Sequence, residues 1–306
     1  KSIHYLTLAA NQNHLEAQFR LGMIYSSDKY IKGDIDKSIH YFTLAANHNY
    51  LEAQFNLGMI YYSGKYITRD INKSIHYFIL AADQNDSEAQ FNLGMIYEKG
   101  ELIGRDMVKS IHYYKLAANQ NDAEAQFNLG AIYYSGNYIA RDIDKSIHYY
   151  ILASNQNDSR AQFNLGHIYY SGKYIKRDID KSIYYYKLAA KQNDSEAQFN
   201  LGMIYEKGEF VKQDINKSIY YYKLAANQND SEAQFKLGLI YEKGELIAQD
   251  INKSIYYYKL ASDQNHSEAQ FQLGMIYYSG EYITIDIKKS IHYLTLAANQ
   301  NHLEAQ

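Results

Sequence analysis

Asp70, Ser74 and His76 stand within seven residues of one another, the residue types from which a nucleophile, its base and an orienting acid are assembled. Catalysis of that kind needs one strained and unique constellation, whereas near-equal copies of the trio recur along the chain, so packing is the expected role. Histidine also recurs singly at His4, His40, His76, His112, His148 and His292, and gives way to Tyr184, Tyr220 and Tyr256. One imidazole per repeat would stand about 10 Å from the next, a helix-pair thickness, against metal–ligand bonds of about 2 Å. No catalytic residue, metal or cofactor is therefore expected, and tyrosine as the substitute suggests a half-buried position. Cysteine is absent, which removes disulfides, thiolate ligands and a cysteine nucleophile and fits a reducing, cytoplasmic compartment.

The elements that carry these residues follow a fixed period. The triplet Lys-Ser-Ile begins at Lys1, Lys37, Lys73, Lys109, Lys145, Lys181, Lys217, Lys253 and Lys289, 36 residues apart and without insertion. A period of that length marks one supersecondary unit that cannot bury its apolar face alone, so neighbours stack into an elongated solenoid. The expectation is a single continuous all-α array over residues 1–306, about eight and a half repeats of paired helices. The chain opens and stops inside a repeat, and residues 1–18 are identical to residues 289–306. A piece of a longer array is thus expected, with uncapped ends that fray or associate end to end.

Residues 51–86 serve as the specimen repeat. In the first helix, A, Ala53, Leu57, Ile60 and Tyr61 recur at helical spacing, while Phe55, Met59 and Tyr62 project from roughly the opposite side. A helix apolar on two sides is either sandwiched or presents one face to a ligand. Gly58 sits inside helix A at a cost of about 0.8–1 kcal/mol, which close approach to the small residues Ser74, Ala81 and Ala82 would offset. Gly64 suits the left-handed end of helix A, and Asp70 stands where the second helix, B, needs a cap. Asn85 can close helix B in the left-handed conformation, with Asp86 or Ser87 capping the next helix A. The pattern gives about seventeen helices and a stub at Leu303.

The string Glu52 to Gly64, followed by Asp70, Lys73-Ser74, Tyr77-Phe78 and Ala81-Ala82, closely resembles the Sel-1-like repeat, a relative of the tetratricopeptide repeat. Departures from that pattern are Ser74 for alanine, Tyr77 for tryptophan, Tyr66-Ile67 where a Gly-Val-Pro type loop is common, and Asn85 for glycine. The chain has no proline, so nothing of that kind fixes the loop backbone, and Asp28 replaces the loop glycine in the first repeat. The resemblance implies a right-handed α-α superhelical solenoid of antiparallel helix pairs, without catalytic residues, that scaffolds partner proteins or peptides along a concave groove lined by A helices. By analogy with tetratricopeptide modules, asparagines on helix A would bind peptide backbone. The matching positions are Asn56, Asn92, Asn128, Asn164 and Asn200, with Arg20, Lys236 and Gln272 as variants.

An asparagine carries both donor and acceptor, and these could equally bond neighbouring repeats. Beside that column run Met59, Tyr62 and their equivalents, whereas Phe55 is expected in the core between repeats. Differences between repeats locate the candidate contacts more sharply than identities do. Met59, Met95 and Met203 give way to Ala131, His167 and Leu239; Tyr62, Tyr134, Tyr170 and Tyr278 give way to Glu98, Glu206 and Glu242, each followed by lysine. Lysine plus arginine number 31 against 34 acidic residues, and no like-charge run stands out. The basic groove of an RNA-reading repeat is missing, as is a polybasic membrane patch. The longest apolar stretches, such as Met59-Ile60-Tyr61-Tyr62, fall far short of the roughly 18–20 residues of a membrane helix. An inert or self-associating spacer is the alternative to a scaffold.

Overall fold

The computed structural model describes residues 2–27, 33–245, 247–300 and 302–305; the expectations at Asp28, Lys1 and Gln306 lie outside the described residues. The chain divides into two compact units, residues 1–156 and 157–306. The first holds α1 Ser2–Ala10, α2 Leu15–Tyr25, α3 Ile35–Ala46, α4 Leu51–Ser63, α5 Ile71–Ala82, α6 Ser87–Lys99, α7 Met107–Asn119, α8 Ala123–Ser135 and α9 Ile143–Asn155. The second holds α10 Ser159–Ser171, α11 Ile179–Lys191, α12 Ser195–Lys207, α13 Ile215–Ala226, α14 Ser231–Lys243, α15 Ile251–Asp263, α16 Ser267–Ser279 and α17 Ile287–Asn299, then a 3-10 turn at Leu303–Ala305. Even-numbered helices are the A helices and odd-numbered ones the B helices. Among the described residues there is no strand, and no helix is long and apolar enough to cross a membrane. The fold is an all-α solenoid.

The helix boundaries follow from their caps. Gly64 ends α4 at φ 59°, and the Asp70 carboxylate accepts the Lys73 backbone N–H at 3.0 Å to start α5. Asn85 turns the chain at φ 65°, and Asp86 accepts from the Ala89 N–H at 2.7 Å to start α6. The A-to-B loops hold without proline because the capping residue reaches back: the Asp70 N–H donates to the Tyr61 carbonyl at 3.0 Å, and Asp106 does the same to Tyr97 at 2.9 Å.

Within each unit an A helix packs most broadly on the B helix that follows it and less on the one before it. The mid-helix glycine is the hinge of the larger contact, for a reason that differs from the small-on-small packing expected. A Cβ on Gly58 would stand 2.6 Å from the Phe78 ring, and on Gly94 2.5 Å from the Tyr114 ring, below any ordinary carbon contact. The aromatic ring of helix B lies flat against bare backbone. Ser74 then locks the pair, its buried hydroxyl donating to the Gly58 carbonyl at 2.9 Å.

The smaller contact, between repeats, is polar at its centre. Gln54 is fully buried; its carboxamide donates to the Ala46 carbonyl at the end of α3 at 3.2 Å and accepts from Gln84 at the end of α5 at 2.7 Å. Gln90 repeats both bonds with Ala82 and Gln120, and Gln198 with Ala190 and Gln228. A glutamine that satisfies the frayed end of one B helix while holding the next offsets the penalty of burying its own amide.

Candidate functional site

Each A helix commits one side to this interlock, as Ala89, Gln90, Leu93 and Gly94 do on α6. The other side carries the candidate residues. Asn56, Asn92 and Asn200 are half-buried and donate to carbonyls one turn back in their own helices, those of Glu52 at 2.7 Å, Glu88 at 2.8 Å and Glu196 at 2.8 Å. These bonds involve the amide nitrogen, not the carboxamide oxygen. Asn128 differs: it meets the Tyr114 hydroxyl of the preceding hairpin. Asn164 is half-buried on α10.

The apolar candidates fall into two environments. Met59 is 38% exposed, and His167 is exposed with its ring stacked on Phe163 at 6.4 Å. Met95 and Met203 are half-buried, packed against the clusters around Tyr114 and Tyr222. Tyr62 lies against the cluster containing Ile71 and Phe78, under the Arg69 guanidinium at 4.9 Å; Tyr170 packs on the Tyr186 cluster, and Tyr134 is half-buried. Phe55 joins the core, its ring 5.8 Å from that of Phe78. In unit one the accessible strip is therefore built on Asn56, Met59 and Asn92, and in unit two on Asn164, His167 and Asn200.

The alternation of tyrosine and glutamate has a structural cause. Glu98 accepts from the buried Tyr114 hydroxyl at 2.6 Å, Glu206 from Tyr222 at 2.5 Å and Glu242 from Tyr258 at 2.6 Å. Burial, then the neighbouring carboxylate, pushes the Tyr114 phenol far above its ordinary range. Tyr186, whose hairpin has Tyr170 in place of glutamate, keeps a buried hydroxyl without a hydrogen-bond partner among the described residues. The glutamates are thus tied to the core even though their neighbours face outward.

Successive residues of the histidine column are exposed, not half-buried: Tyr184, Tyr220 and Tyr256 are 58%, 58% and 57% exposed. Each stands edge-on to the tyrosine after it, Tyr184 to Tyr185 at 5.0 Å, and that second ring takes the inward position. Among the described residues no three histidines or acids gather as a metal-binding group.

A model of the Sel1 repeat family matches residues 1–14, 15–50, 51–86, 87–122, 123–158, 159–194, 195–230, 231–266 and 267–302. The chain belongs to the Sel1 repeat family. Among solved structures it is similar to c5321, a protective antigen present in uropathogenic Escherichia coli strains that displays an SLR fold, at 28% identity and TM-score 0.86 over 99% of this chain. It spans 65% of the length of that antigen. A Sel1 repeat protein from Oxalobacter formigenes is similar at 27% identity and TM-score 0.81, covering 100% of this chain and 88% of its own. Comparison with curated proteins finds no match. Sel1 repeats are generally protein–protein interaction scaffolds, and the fold is typically non-catalytic.

Two of the departures from the Sel1 pattern, Ser74 and Tyr77, have a partner here. Ser74 bonds the Gly58 carbonyl, and Tyr77 stacks on Tyr61 at 5.9 Å with the rings 4° from parallel. The lysine of the Lys-Ser-Ile triplet completes that stack: the Lys73 ammonium lies 5.1 Å over the Tyr61 ring and 3.5 Å from the Asp70 carboxylate. One column escaped the sequence reading, the residue just before the capping aspartate. Arg105 donates from Nε to the Glu98 carbonyl at 2.7 Å, Arg141 to the Tyr134 carbonyl at 2.8 Å, and Gln213 and Gln249 do the same from Nε2 to Glu206 and Glu242. These bonds satisfy the last turn of α6, α8, α12 and α14. Arg69 instead reaches the next loop, pairing with Glu101 at 2.9 Å. Arginine spacing alone reads as solvated charge, which is why the column was not legible.

Proposed function

We propose that this Sel1 chain is a non-catalytic scaffold that holds partner proteins or peptide segments along the accessible side of its A helices. One observation carries the reading: each A helix is divided between a locked side of recurring Ala, Gln, Leu and Gly and an accessible side whose residues change from repeat to repeat. Asn56 becomes Lys236, and Met59 becomes His167 or Leu239, while Leu57 and Gly58 recur without change as Leu237 and Gly238. A scaffold needs the first set constant for stacking and leaves the second free for specificity.

The test compares two triple or double replacements in the whole chain. Asn56→Ala, Met59→Ala and Asn92→Ala together alter the A side; His76→Ala and His112→Ala alter the exposed B side. Proteins retained on the unmodified chain from a lysate, identified by mass spectrometry, are expected to be lost from the A-side variant and kept by the B-side variant. Retention by the A-side variant with loss from the B-side variant overturns the proposal.

A further inference from the structure

On the same A-helix side the space between loops differs from repeat to repeat. At α4 and α6 the space is lined by Tyr62, Arg69, Ile71, Ile96, Lys99 and Glu101 and holds a cavity of only about 10 Å³. Four repeats later the equivalent residues are Glu206, Gln213, Ile215, Ile240, Lys243 and Glu245, and the cavity is about 380 Å³. Two substitutions accompany the change. Glu206 stands where Tyr62 fills the space, and Gln213 turns back to the Glu206 carbonyl where the Arg69 guanidinium spans to the next loop.

The opened cavity also gains chemistry. Lys236 replaces the asparagine of Asn92 and Leu239 the methionine of Met95, and both line it together with Lys207. The lining thus carries three lysines, Lys207, Lys236 and Lys243, against two glutamates, Glu206 and Glu245. Glu206 is already committed to the Tyr222 hydroxyl at 2.5 Å, and Lys236 stands 3.8 Å from it, with its side chain 30% exposed. A half-buried ammonium with three donors and so long a contact favours a further acceptor. Ile215, Leu239 and Ile240 supply an apolar wall beside it. The volume lies in the range of small-ligand clefts, roughly 300–1,000 Å³.

We propose that the cavity between α12 and α14 binds an acidic side chain of a partner peptide, with an aliphatic neighbour lying on Leu239 and Ile240. The proposal rests on the scaffold reading and names the chemistry that one part of the A-helix side selects. The carboxylate is held among Lys207, Lys236 and Lys243, and the aliphatic group covers the apolar wall, so neither alone gives the full interaction.

The probe is the capped dipeptide acetyl-Glu-Leu-amide, titrated into the whole chain with labelled isoleucine and leucine methyls and followed by nuclear magnetic resonance. The methyls of Ile215, Leu239 and Ile240 are expected to shift saturably with acetyl-Glu-Leu-amide, and about tenfold more weakly with acetyl-Gln-Leu-amide. Lys236→Asn, which restores the residue of other repeats and so keeps the fold, is expected to weaken binding about tenfold, whereas Lys236→Arg keeps it. Equal binding of the two dipeptides, an unchanged affinity in Lys236→Asn, or no saturable shift at these methyls overturns the proposal. Should that happen while the A-side triple variant still loses its partners, the scaffold reading stands and only this pocket falls.

Discussion

A methyl group at Gly94 would meet the Tyr114 ring at 2.5 Å, and that ring is held by its hydroxyl bond to Glu98 at 2.6 Å. Gly94→Ala should therefore lower stability by about 1–3 kcal/mol through overpacking, in spite of alanine's higher helix propensity. Gly274 faces Leu294 instead, whose Cγ lies 2.6 Å from the same added carbon; a flexible aliphatic side chain can move, so Gly274→Ala should cost less. Urea unfolding of the two variants checks the order. The buried tyrosines make a second comparison. Tyr114→Phe removes a charge-assisted bond and should cost about 1.5–3 kcal/mol, whereas Tyr186→Phe removes a hydroxyl with no partner and should leave stability unchanged or higher by up to about 1 kcal/mol. Equal losses in both would contradict this reading of the hydroxyls.

The helices were legible as elements because each carries its own punctuation. Asp70, Gly64 and Asn85 announce a cap, a left-handed end and a turn by residue type alone. The packing between elements was less so. Gly58 was read against the nearby small residues, since composition reports size but not the rotamer that lays the Phe78 ring on the backbone. Gln54 reads as a surface amide, and only the placement of the Ala46 carbonyl and Gln84 around it makes it core.

The caps also set the pH response of the B helices. Asp70 lies below its ordinary range, first through the Lys73 backbone N–H; Asp142 does so first through the Lys145 ammonium. Asp34, Asp178, Asp214, Asp250 and Asp286 shift the same way. A depressed carboxyl contributes stability above its unfolded value, about 3.9, and loses it as pH falls through the folded one. Burial raises Asp122 and Asp230, an opposing effect from fewer groups. Helicity followed by circular dichroism should accordingly melt at lower temperature as pH drops below about 4. The phenols of Tyr114, Tyr222 and Tyr258 are raised, first by burial. Their contribution is full below about pH 10, the unfolded value, and is lost as pH rises beyond it. Alkaline unfolding should thus coincide with tyrosinate absorbance, and melting temperatures flat across both limits would refute the assignment.

At the scale of the whole chain, identity and variation divide the labour. The interlock of glycine, ring and glutamine is repeated in both units, and the accessible residues of the A helices are where repeats differ from one another. The solenoid class was readable from the period, and the family from the recurring motif, whose members are generally protein–protein interaction scaffolds. Which A-side residues stand accessible was not readable, because Met59 and Met95 are identical in type, yet Met59 is exposed and Met95 packs against the cluster around Tyr114. The central claim is that partners meet the A side. A benzophenone amino acid placed at position 59, and separately at position 76, tests it most directly, since both sites are exposed, one on the A helix and one on the B helix of the same hairpin. Irradiation with the native partners present should give a cross-linked product from position 59 and none from position 76; a product from position 76 alone would contradict the account.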